Sequence, residues 1–184
     1  ALSLPTVMAI TNAEAEGAER QRERLEEALE NGLRLIQVRD KGWPPAQRLW
    51  FAETVTRLAR SHGALVVIND DADIARRVAA DGLHLSAAHL ARLDERPDFA
   101  WVGASCHNAQ EIARAGELGL DYALLGPVLP TPTHPEAAGL GWAEFARQRD
   151  GNTLPVFALG GMKKETLDEA QAHGAHGIAL MRGW

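Results

Sequence analysis

Cysteine is nearly absent: Cys106 stands alone in 184 residues. A single thiol builds no disulfide framework and no cysteine cluster for zinc. Long apolar runs are missing too. No stretch approaches the length that crosses a bilayer, and the first residues lack the charged-then-apolar form of a signal peptide. A cytoplasmic protein is therefore the expectation. Positive charge is in deficit, with 19 Lys and Arg against 25 Asp and Glu and a formal net charge of -6. That balance argues against nonspecific binding to nucleic acid or to an anionic membrane surface, but leaves room for a local basic pocket around a small phosphate. Low-complexity segments and linkers are also absent, so one domain over residues 1–184 is expected.

What is present is alternation. Short runs rich in Val, Ile and Leu occur at Thr6–Thr11, Leu33–Arg39, Ala64–Asn69, Gly82–Leu85, Ala100–Ser105, Tyr122–Gly126, Val156–Gly160 and Gly177–Met181. Several are apolar at successive positions, as strands buried on both faces are. The intervals carry helical spacing: Glu14–Glu30, Pro44–His62, Ala72–Ala80, Asn108–Leu118 and Lys163–His173, most ending near a glycine. Parallel strands require such crossovers, so the fold predicted is an α/β parallel (β/α)8 TIM barrel. It lacks the final helix, because only three residues follow the eighth run. From this we expect an upstream fused domain or a homodimer that buries an uncovered eighth strand. Trp43, Trp50 and Trp142 are expected to pack helices. His62, His173 and His176, at turns, are expected to face solvent.

In such barrels, chemistry collects at the carboxyl ends of the strands. After the second run, Gln37-Val-Arg39-Asp-Lys41 alternates so that Gln37, Arg39 and Lys41 share one face. Two cations and an amide donor suit a diphosphate, unless they form a surface cluster paired with Asp40. After the third run, Asn69 suits a heterocycle, and Asp70 is a candidate magnesium ligand; the alternative is that Asp70 or Asp71 caps the next helix. After the fifth, Ser105 points to the mouth, Asn108 reads as a helix cap, and Cys106 and His107 face opposite ways, which disfavours a cysteine nucleophile. After the sixth, a proline-rich loop carries Thr131, Thr133 and His134. After the seventh, Gly160 and Gly161 open a helix at Lys163, a place where backbone and helix dipole meet phosphate.

These segments, with Asp81-Gly-Leu-His-Leu85, Gly103-Ala-Ser105, Asp121-Tyr122, Gly126-Pro127 and Gly174-Ala-His-Gly177, resemble the thiamine phosphate synthases and their thiazole tautomerase relatives, in order along almost the whole chain. The resemblance implies a transferase that joins hydroxymethylpyrimidine diphosphate to thiazole phosphate and releases pyrophosphate. It implies that Gln37, Arg39, Lys41 and Asn69 hold the pyrimidine diphosphate and that Asp70 takes Mg2+. Ser105 would touch the departing pyrophosphate or the pyrimidine, and Thr131, Thr133 and Gly161 the thiazole phosphate. The strings Gly103–Asn108, Thr131–Pro135 and Met181–Trp184 further resemble the synthase-like domain fused to a Nudix hydrolase.

The chain departs from the pattern in three places. Ser86-Ala-Ala-His89 replaces Gly-Gln-x-Asp, so a histidine, a poor magnesium ligand, stands for the second carboxylate. His134 replaces a lysine, and Arg182 replaces a small serine after the eighth strand. Three readings stay open: the synthase, with Arg39, Lys41 and Ser105 in catalytic roles; a thiazole phosphate tautomerase, with His107 or His134 moving the proton; and a non-catalytic domain that binds thiamine phosphates. Pro127 stands where some tautomerases carry histidine.

Overall fold

Each branched-aliphatic run becomes a short strand, and each charged interval becomes one helix or more. The computed structural model describes residues 3–131 and 138–184. In order these form β1 (Val7–Ile10), α1 (Ala13–Glu16), α2 (Ala18–Glu30), β2 (Leu35–Val38), α3 (Pro45–Arg60), β3 (Leu65–Asn69), α4 (Ala72–Arg77), β4 (Gly82–Leu85) and α5 (Ala87–Arg92). The second half continues with β5 (Trp101–Cys106), α6 (Ala109–Glu117), β6 (Tyr122–Leu125), α7 (Gly141–Arg149), β7 (Val156–Leu159), α8 (Leu167–Ala172) and β8 (Gly177–Leu180). All neighbouring strands run parallel. The barrel closes where Val7, Met8 and Ala9 of β1 pair with Ile178, Ala179 and Leu180 of β8.

Period-two alternation divides every strand between two environments. The outward set, including Ala9, Ile36, Val66, Leu83, Val102, Ala123, Val156 and Ile178, packs against the helices. The inward set, including Met8, Ile10, Leu35, Tyr122, Leu124, Phe157 and Ala179, fills the barrel. Complete burial of a residue the size of Phe157 contributes about 2–3 kcal/mol, so the filled interior is a core rather than a channel.

The sequence reading differs from the structure at several elements. The helix expected over Glu14–Glu30 is broken at Gly17, whose φ of 93° lies outside the range helical residues adopt. Helices α5 and α7 were not foreseen. The helix expected from Lys163 opens as a 3-10 turn at Lys164–Thr166 and becomes α-helical only at Leu167. Trp43 and Trp142 do pack helices, edge-on to Phe51 and Phe145. Trp50 instead is 49% exposed. His176 is half-buried, with Nε2 2.9 Å from the Leu4 carbonyl oxygen, and does not face open solvent.

Residues 181–184 after β8 are not helical, yet the outer face of β8 is covered. Ile178 and Leu180 are buried in one cluster with Trp184. The Trp184 Nε1–H donates to the Ile10 carbonyl at 3.2 Å, and the Arg24 guanidinium lies 5.0 Å above its ring. The apolar surface from which a dimer was expected is therefore already buried within the chain.

Candidate functional site

The strand ends gather polar side chains over the carboxyl mouth of the barrel. Gln37 points inward and is buried, with Nε2 3.5 Å from the Met8 sulfur. Its Oε1 is buried with no partner among the described residues, a costly state that a ligand donor or water would relieve. Val38 turns outward and Arg39 inward again. The Arg39 amide donates to Thr11 Oγ1 at 2.8 Å, which ties its backbone to the end of β1. Its guanidinium has no ion-pair partner among the described residues.

Asp40 does not neutralise these cations. It is buried on the outer side, accepting from Thr11 Oγ1 at 2.8 Å and from the Glu14 amide at 2.9 Å. Burial outweighs those bonds and raises its pKa. Lys41 falls in a turn rather than in extended chain, so the alternation that pairs Gln37 with Arg39 does not extend to it. It lines a narrow crevice beside Asp40, Asn69 and Asp71 at the rim.

Asn69 ends β3, and its side chain makes no hydrogen bond among the described residues. The choice between Asp70 and Asp71 as helix cap is resolved: Asp71 Oδ1 accepts from the Ile74 amide at 3.0 Å and caps α4. Asp70 is held with φ of 56°, in the left-handed region, which costs about 1 kcal/mol or more outside glycine. Its Oδ1 accepts from the Ser86 amide at 2.7 Å and lies 3.1 Å from His89 Nδ1. Burial alone would raise its pKa, but the bonds from Ser86 and His89 win and leave it lowered. The same Ser86 caps α5. Among the described residues, no three His, Cys, Asp or Glu side chains cluster as a metal site. Asp70 alone fits magnesium only as one ligand beside phosphate oxygens and water, a usual arrangement for that ion.

Beneath the mouth runs a buried polar chain. His84 is fully enclosed, with Nδ1 2.8 Å from the Tyr122 hydroxyl and Nε2 2.8 Å from Ser105 Oγ. Burial holds its pKa down to about 3, with the Asp70 charge pulling upward and the Arg39 charge downward, so the ring is neutral. Tyr122 is buried as well, and its pKa is raised by desolvation. Gly103 makes room, since a Cβ there would fall inside the Tyr122 ring. Sequence reasoning placed Ser105 at the mouth but missed His84 and Tyr122. Leu83 and Leu85 on either side of His84 pack outward, and alternation turns His84 the other way, into the barrel.

On the far side of β5, Cys106 is buried and its thiol is pushed up to about 12 by desolvation, as expected of an inert cysteine. His107 sits on the exposed rim. Its Nδ1 and its amide both meet Glu111 Oε1 at 3.1 Å, and Asn108 caps α6 through the Glu111 amide.

The loop after β6 is pinned at its base. Val128 and Leu129 donate to the Leu159 and Gly160 carbonyls at 2.8 and 3.1 Å. Leu140 and Gly141 return to the carbonyls of Pro127 and Val128 at 2.8 and 2.7 Å. Gly160 and Gly161 have positive φ, and a Cβ on either would come within 2.8 Å of this loop. Their lack of side chains is thus required by the loop lying on them, a different reason from the phosphate approach read in the sequence. Thr131 is half-buried at the rim and Arg182 exposed after β8; both have contacts. Thr133 and His134 lie outside the described residues.

Comparison with known proteins identifies the family. The model of a family described as thiamine monophosphate synthase matches residues 7–184. A thiamine-phosphate synthase of Thermus thermophilus is 37% identical over 163 residues, covering 87% of this chain and 79% of its own. A putative thiamine-phosphate synthase 2 of Aquifex aeolicus is 34% identical over 183 residues, covering 97% and 96%. The solved thiamine phosphate pyrophosphorylase of Pyrococcus furiosus superposes with a TM-score of 0.78 at 28% identity, over 96% of this chain and 85% of that one. Barrel, family model and relatives converge: the chain belongs to the thiamine monophosphate synthase family, the transferases of thiamine biosynthesis.

Proposed function

We propose that this chain joins hydroxymethylpyrimidine diphosphate to thiazole phosphate, releasing pyrophosphate. The observation that carries the reading is the inward pair at the end of β2. Among the described residues, Arg39 brings a cation with no ion pair and Gln37 a buried oxygen with no partner, both to one side of the mouth. A diphosphate supplies the charge that Arg39 lacks, and an exocyclic amine on the pyrimidine supplies a donor for Gln37.

The reaction asks the protein for electrostatics rather than for a nucleophile. The methylene C–O bond breaks with its electron pair leaving on pyrophosphate, and the thiazole nitrogen lone pair forms the new C–N bond. Arg39, with Lys41 at the rim, stabilises the charge that develops on the leaving group. Asn69 and Gln37 orient the pyrimidine. Ser105 donates toward the departing oxygens. Asp70 would hold Mg2+, which when bound neutralises diphosphate charge. The thiazole phosphate would be held by Thr131, Thr133, His134, Gly160, Gly161 and Arg182, on the side of the pinned loop.

Pyrophosphate release by the purified chain given both precursors, with magnesium and with a chelator, tests the proposal. We expect release that needs magnesium and that Arg39→Ala lowers by roughly 10²- to 10³-fold. No release, with calorimetric binding of thiamine phosphate retained, would mark a binding domain. Proton exchange at the thiazole ring without release would mark a tautomerase, for which the His107–Glu111 pair supplies the acid-base group.

A further inference from the structure

We propose that Tyr122 and His84 are positioning residues that fix the direction of the Ser105 hydroxyl, making it a hydrogen-bond donor toward the barrel mouth. The inference rests on the reading above in one respect, that the acceptor at the mouth is the diphosphate. Its geometry stands without it.

The Tyr122 hydroxyl has a single partner among the described residues, His84 Nδ1 at 2.8 Å. The Tyr122 ring is edge-on to Phe157 at 5.7 Å and shares a buried cluster with the apolar residues Met8 and Leu124, none of which accepts a strong hydrogen bond. A buried O–H with no acceptor is among the costlier defects a core can hold. The phenol must therefore donate to Nδ1, which makes Nδ1 the acceptor of a neutral imidazole. The ring proton is then on Nε2, and that N–H donates to Ser105 Oγ at 2.8 Å. With its oxygen engaged as acceptor, Ser105 keeps its own proton for a partner above.

The opposite polarity would have Ser105 donate to Nε2 and Nδ1–H donate to the phenol oxygen. That leaves the Tyr122 proton without an acceptor and turns the Ser105 lone pairs toward an incoming anion, which repels it. Burial supports the neutral ring: His84 and Tyr122 are fully enclosed, while Ser105 is partly open. The chain thus transmits a constraint from the barrel floor to the mouth without moving a proton.

Histidine-15N-labelled protein read by two-bond nitrogen–proton NMR tests this, with the His84 signal assigned by its loss in His84→Gln. The expected result is a neutral ring protonated on Nε2 throughout pH 5.5 to 8. In Tyr122→Phe the proton should redistribute between the two nitrogens. Calorimetry with inorganic pyrophosphate supplies the second readout. Ser105→Ala is expected to weaken binding roughly tenfold or more, and Tyr122→Phe to reproduce much of that loss. The double variant should be no weaker than Ser105→Ala alone. A His84 ring protonated on Nδ1 in the unmodified protein overturns the proposal. So does Tyr122→Phe that binds pyrophosphate like the parent while Ser105→Ala does not. If the parent binds no pyrophosphate, the function proposed above fails, and the NMR result still decides the direction of the chain.

Discussion

A neutral histidine sealed inside the barrel links one residue to the stability of the whole. His84 has a folded pKa near 3 against 6.5 in an unfolded chain. Below pH 6.5 the unfolded state takes up a proton that the folded state refuses. The contribution of His84 is therefore fully present above pH 6.5 and is lost as the pH falls toward 3, at a limiting slope of about 1.4 kcal/mol per pH unit. Urea unfolding from pH 7 to pH 4 should show this decline, and His84→Gln, which does not titrate, should flatten it. Cys106 gives a second residue-scale expectation. With its thiol pushed up to about 12 behind α6, it should react with a disulfide reagent only after unfolding, and a native protein modified within minutes would contradict its placement. From the sequence, Cys106 and His107 were expected to face opposite ways, but the direction of His84 was open and its partners were out of reach. Leu83 and Leu85 locate His84 inside the barrel, whereas Tyr122 approaches it from a strand 38 positions later, and no local pattern carries that distance.

At the scale of elements, the strands were legible to within about two residues because their burial on both faces writes itself as continuous apolar runs. The helices were less so. Gly17 looked like a tolerated glycine within one long helix, yet it adopts φ 93° and ψ 141° and separates α1 from α2. No atom lies within 4 Å of a Cβ built there, so backbone strain alone should make Gly17→Ala cost about 1–3 kcal/mol in denaturant unfolding. Gly103→Ala should cost more, because the Tyr122 ring occupies the space and must move or break its bond to His84. Helix α7 was concealed by the Gly139-Leu-Gly141 string, which reads as loop although the helix begins at Gly141 itself. At the site, Gln37 and Arg39 followed from alternation, and Lys41 did not because the chain turns before reaching it.

For the molecule as a whole, closure was predictable from eight runs and their crossovers, but the manner of covering β8 was not. A missing helix suggested an open face. Trp184 instead folds back beside Ile178 and Leu180 and ties itself to the carboxyl end of β1. Trp184→Ala removes a large buried ring and its hydrogen bond together, and should destabilise the barrel by about 3–5 kcal/mol, measured by chemical denaturation. A loss below 1 kcal/mol would mean that the ring covers little.

The base of the loop after β6 has a consequence for how this scaffold can change. Amides of Leu140 and Gly141 close onto the carbonyls of Pro127 and Val128, while Val128 and Leu129 are fastened to β7. Segments of other lengths between those clasps should leave strand register undisturbed, since each doubling of loop length adds only about 0.6 kcal/mol of closure entropy. The barrel behaves like a tool handle with an interchangeable head: a segment grafted between Leu129 and Gly139 could present different groups at the mouth while the strand ends carrying Gln37, Arg39 and Asn69 stay as they are.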